Sequence, residues 1–156
     1  MTTASLPELR RAVNNVPSAL LPELCLRMAR FRKENKELLS YLLFDADDEI
    51  EYIRTVKVEI EESFSKIVAT TPYQTKKGLR KILALINLRI RISGQKRTEA
   101  EILIHFCRLF KEEIPFRSFP TIRNIYLRQL EKAKKTIASL HEDLQFDFNE
   151  EIRSFE

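Results

Sequence analysis

Apolar residues recur every three or four positions along nearly the whole chain, the spacing of helices that each bury one face. Prolines and cap residues cut this pattern into segments. A first short helix is expected over about 6–14, closed by Asn14, Asn15 and Pro17. Residues 18–31 follow, with Leu20, Leu21, Leu24, Met28 and Phe31 at helical spacing and Pro22 in the first turn, where a missing N–H is tolerated. Asn35 can cap a further helix through Leu38, Leu39, Leu42 and Leu43; whether 18–44 is one helix or two stays open. A third long segment, about 47–69, opens on Asp45, Asp47 and Asp48 and carries Ile50, Ile53, Val56, Ile60, Phe64 and Ile67. Thr70, Thr71 and Pro72 end it.

The fourth helix, about 74–92, stops at Ser93-Gly94. Leu79, Ile82, Leu83, Ile86 and Ile90 fall on one face, with Leu85, Leu88 and Ile92 nearly opposite. Apolar on two sides, it is expected at the centre of the fold. Thr98 and Glu101 read as a capping box for a fifth helix through about 113. Pro115 closes that helix and Pro120 opens the last. There Tyr126, Leu130, Ala133, Ile137, Leu140 and Leu144 form a short heptad seam.

The expectation is therefore an all-α single domain, 1–156, of six or seven helices, stacked as antiparallel hairpins in a HEAT-like array or as an irregular bundle. Two glycines in the chain argue against sheets, β-hairpins and phosphate loops, which use glycine at their turns. No apolar run approaches the ~20 residues of a membrane span. No secretory leader is visible, and Cys25 and Cys107 form no disulfide pattern, so a reducing, cytoplasmic setting is expected. Phe116 and Phe119, between two prolines, must either tuck under the helices or face a partner.

Charge falls in blocks. Residues 45–62 hold eight acids and two bases, 71–97 eight bases and no acid, 117–135 six bases and one acid, and 141–156 six acids and one base. Adjacent antiparallel helices would let these blocks pair. The functional reading is a basic surface for an anionic partner, carried by Lys76, Arg80, Arg91, Lys96 and Arg97. The stretch 74–97 holds no aromatic residue, which ranks nucleic acid behind protein as the partner.

Asp48, Glu51, Glu59 and Glu62 lie on one side of the third helix and invite a magnesium-dependent nucleotide hydrolase as an alternative. The two pairs sit ~16 Å apart along one helix, so they need carboxylates from another element to share an ion. His105 and Cys107, two apart on a helix, point away from each other and make no catalytic pair. The stripe Phe148, Ile152, Phe155 offers a homodimer surface. No cofactor is called for, and the leading expectation is a non-enzymatic scaffold or protein-interaction module.

The stretch LRMARFRKENKELLSYLLFDADDEIEYI, about a fifth of the chain, resembles all-helical proteins of Bacteroidetes-type bacteria that carry no established activity. The resemblance implies a helical fold and no site residue.

Overall fold

A computed structural model describes residues 1–68 and 70–156. Among the described residues all regular structure is helical, in eight α-helices: α1 (Leu6–Asn15), α2 (Leu21–Phe31), α3 (Lys33–Ser40), α4 (Glu49–Ser65), α5 (Pro72–Ser93), α6 (Lys96–Glu113), α7 (Pro120–Ala138) and α8 (Glu142–Phe155). A short 3-10 turn (Ser18–Leu20) leads into α2, and a π-helical turn (Tyr41–Asp45) follows α3. No described helix is long and apolar enough to cross a membrane. The chain divides into two compact units, Met1–Leu43 and Phe44–Glu156.

In the N-terminal unit, Ser5 and Glu8 close the start of α1: the Ser5 amide and hydroxyl both donate to Glu8 Oε2, at 2.7 and 2.6 Å. Residues 18–44 form two helices rather than one, separated by Arg32 in an extended conformation (φ −145°, ψ 148°). Asn35 does not cap α3. It lies inside that helix and donates its amide to the Met28 carbonyl near the end of α2, at 2.8 Å. From residue 1 to 40 no side chain is buried; Tyr41 is the first that is.

The C-terminal unit is a helix bundle with one continuous core. Its central element is α6, which packs against α4, α5, α7 and α8 and buries eleven residues, among them Ile102, Leu103, Phe106 and Phe110. The two-sided apolar pattern of the fourth helix, α5, predicts that helix at the centre instead. α5 buries Leu79, Ile82, Ile86 and Ile90 of its first face with Leu83 partly covered, but on its second side only Ile92 is buried, and Leu85 and Leu88 are partly covered. Large apolar residues on a second face mark half-burial at a neighbour's edge as readily as full burial.

Asp48 caps α4, accepting from the Glu51 amide at 3.1 Å. Ile53, Val56, Ile60 and Phe64 face the core, whereas Ile50, expected among them, is 74% exposed. α4 stops at Ser65, earlier than the pattern implied; residue 69, the expected end, lies outside the described residues. Thr71 instead caps α5, accepting from the Gln74 amide at 3.2 Å. Gly94 ends α5 in the left-handed region, φ 68°, and its amide donates to the Ile90 carbonyl at 2.9 Å.

Thr98 is not a cap. It sits buried inside α6, and its hydroxyl donates to Glu49 Oε1 at 2.5 Å; Ser93 donates to the same oxygen. Glu49 thereby ties the start of α4 to the α5–α6 corner.

The last segment is two helices. α7 ends at Ala138, capped by Ser139, and His141 opens α8 by accepting from the Asp143 amide at 3.3 Å. Tyr126, Leu130, Ala133 and Ile137 of the seam are buried in α7; Leu140 and Leu144 lie beyond the break and are partly covered. Phe116 tucks against the core at φ 60°, and Phe119 meets it edge-on at 5.5 Å while staying half exposed.

Candidate functional site

The acids proposed for a metal do not converge. Asp48 is used as the cap of α4. Glu51 is held by Arg54 of the same helix, and that guanidinium keeps its carboxyl below the usual range. Glu59 takes a two-pronged contact from Arg89 of α5, Nε and Nη2 each at 2.8 Å. Glu62 is exposed. Among the described residues no three His, Cys, Asp or Glu side chains are placed to hold one ion.

His105 is buried in α6, with Nε2 3.0 Å from Glu61 Oε1 but not aligned as a hydrogen bond. Burial holds its imidazole below the ordinary histidine range, helped by Lys57 and Arg108; Glu61 acts in the opposite direction. Cys107 is fully buried, which pushes its thiol up to about 12. With the thiol held protonated and the imidazole not facing it, the two do not make a thiolate nucleophile.

The stripe Phe148, Ile152, Phe155 is not a free dimer surface. Phe148 and Ile152 are buried in the bundle's own core, and Phe155 packs against it beneath Arg108. Phe146 is the apolar residue α8 leaves exposed.

The five proposed bases separate into two sets. Lys96 lies 3.2 Å from Glu99 and Arg97 3.2 Å from Glu101, both within α6. Lys76, Arg80 and Arg91 of α5 have no carboxylate partner among the described residues. Arg91 stands three turns from Arg80, ~16 Å along the helix. Lys76 and Arg80 share a groove with other polar groups. With Leu83 they line a groove of about 380 Å³ whose far wall is α7, including Asn124, Arg128 and Gln129. Charge pairing between blocks is thus selective: Glu59 engages Arg89, and Glu156, just after α8, engages Lys134, while the first half of α5 has no carboxylate partner among the described residues.

The apolar surface missed in the sequence lies in the N-terminal unit. Leu6, Leu9 and Val13 share one face of α1 and are exposed. In α2 the charged residues Glu23, Arg27 and Arg30 occupy one narrow strip; Leu24, Leu26, Met28 and Phe31 (82% exposed) surround the rest with Leu20 from the preceding turn. Helical spacing announced Leu20, Leu24, Met28 and Phe31, but as members of a buried face. Their position in a 43-residue unit with a single buried residue is what makes them surface.

Comparison with protein families, with curated proteins and with solved structures gave no match.

Proposed function

We propose that this chain is a helical interaction protein that self-associates through its N-terminal unit, two copies covering each other's α2. The observation that carries this reading is a helix apolar around most of its circumference with none of its residues buried. Such a helix is stable when enclosed on more than one side. A unit of about 40 residues rarely holds a core without disulfides, metals or oligomerisation, and Cys25 is the one cysteine in it.

A second copy fits better than a lipid surface. Interfacial helices need a broad polar face toward water, and α2 has only the strip Glu23, Arg27, Arg30. That strip carries an acid at one end and a base at the other. Antiparallel mating about a two-fold axis sets Glu23 of each copy against Arg30 of its partner, a self-complementary arrangement. The leading partner class is therefore protein, and the first partner this chain itself.

The test is the solution mass of the full chain by light scattering, with circular dichroism as the check on folding. The wild type is expected at twice the monomer mass. Leu24→Glu with Phe31→Glu is expected to give monomer, and Phe146→Glu, in α8, to leave the dimer intact. Glu23→Arg alone should weaken the dimer, and Glu23→Arg with Arg30→Glu should restore it. A wild type that stays monomeric at high concentration refutes the proposal. If that monomer sediments with anionic vesicles, the face belongs to a membrane instead.

A further inference from the structure

The first half of α5 gathers cations that its own fold does not neutralise. Lys76, Lys77, Arg80 and Lys81 stand at i, i+1, i+4 and i+5, two rows repeating after one turn, ~6 Å apart. None has a carboxylate partner among the described residues. Arg128 of α7, equally unpaired, faces Lys76 and Arg80 across the groove between the two helices. No acid lines that groove, and neither α5 nor α7 has one in its first turn. Both helices contribute their N-terminal halves here, so the positive ends of two helix dipoles lie side by side and reinforce the cations.

The groove also holds neutral donors. Thr121 and Asn124 line it, and so does Gln129, whose Oε1 is buried with no hydrogen-bond partner. On the other side of the Lys76–Arg80 ridge lies a second groove of about 400 Å³, shared by Lys77 and Lys81. At its end stands Tyr73, 75% exposed, one residue before the stretch that looked free of aromatics.

From this juxtaposition we propose that the α5–α7 surface binds the phosphodiester backbone of single-stranded nucleic acid, with a base stacked on Tyr73. Rows of cations that track a backbone beside an exposed aromatic are the means by which single strands are held without sequence readout. A duplex is disfavoured because its bases are already stacked on one another and leave no free face for Tyr73. All these residues belong to the C-terminal unit, so the inference stands apart from self-association.

The experiment is fluorescence anisotropy of a labelled single-stranded oligonucleotide of mixed sequence, about 12 nucleotides long, with full-length protein. Binding is expected at about 50 mM salt, with a logarithmic salt slope of about −2 to −3 from three or four phosphate contacts. Lys76→Glu, Arg80→Glu and Arg128→Glu should each weaken binding about tenfold or more and flatten the slope. Tyr73→Ala should weaken it about fivefold or more while leaving the slope unchanged. Lys135→Glu, an equal charge change at a residue paired with Glu131, should alter affinity less than about twofold. Absence of binding at low salt overturns the proposal, as does an equal loss in Lys135→Glu. Displacement by inorganic phosphate beyond what matched ionic strength explains would mark an isolated phosphate pocket and equally overturn it, as would tighter binding of duplex than of single strand.

Discussion

Ile67 closes directly over the bare Cα of Gly78: a Cβ built there would lie 3.0 Å from Ile67 Cγ1 and 3.3 Å from Cγ2. The glycine lets the segment after α4 settle against the first half of α5, whose Leu79 and Ile82 anchor the core on the next positions.

Gly78→Ala should therefore lower the melting temperature, although alanine is the better helix former by about 1 kcal/mol. Displacing Ile67 outweighs that gain. In an Ile67→Ala background the same substitution should raise the melting temperature, because both γ carbons are gone. A stabilising effect of Gly78→Ala in the wild type would show that Ile67 yields at no cost.

Glu59 and Arg89 form the one direct bridge between the acidic block of α4 and the basic block of α5 among the ion pairs described above. Arg89 is mostly covered and Glu59 about a third exposed, so screening reduces the pair but does not abolish it. A double-mutant cycle with Glu59→Gln and Arg89→Met should return a coupling of roughly 1 kcal/mol. Urea midpoints measure it, and a coupling near zero would place the stability of this corner in packing alone.

His105 links stability to pH. Burial lowers its folded-state pKa, the largest influence on it, while Glu61 works against that and Lys57 and Arg108 add to it. The unfolded chain thus takes up a proton near pH 6.5 that the folded chain takes up only at lower pH. Its contribution is fully present above about pH 7, is lost as pH falls through 6.5, and levels off below the folded value. The melting-temperature difference between wild type and His105→Gln should shift against the wild type between about pH 7.5 and 5.5. An invariant difference would mean that His105 titrates alike in both states.

Much of the bundle was legible in the sequence, because a period of 3.6 is a local property. The buried face of α5, the stop at Gly94 and the start at Pro120 follow from residues within one or two turns. What failed depended on partners distant in sequence. Thr98 reads as a cap until Glu49, 49 positions away, is seen to hold its hydroxyl. Phe148 and Ile152 read as a surface until α6 and α7 are seen to cover them. Leu24 and Phe31 read as core for the same reason, since spacing cannot say whether anything stands opposite. At the candidate site, Lys76 and Arg80 were legible as part of a basic surface, though not as unpaired; Arg128 and Gln129 were not, because the α5–α7 contact joins residues some fifty positions apart.

The central place of α6 also bears on the order of events in folding. Its neighbours α4, α5, α7 and α8 all dock on it. Losing α6 therefore removes a wall from every other packing layer of the bundle, so its amides should exchange with solvent deuterium only when the whole bundle opens. Nothing comparable protects α1 and α2, where no residue is buried; their amides should exchange through local fraying. One molecule then carries a cooperative body and a segment whose order is lent by whatever it meets.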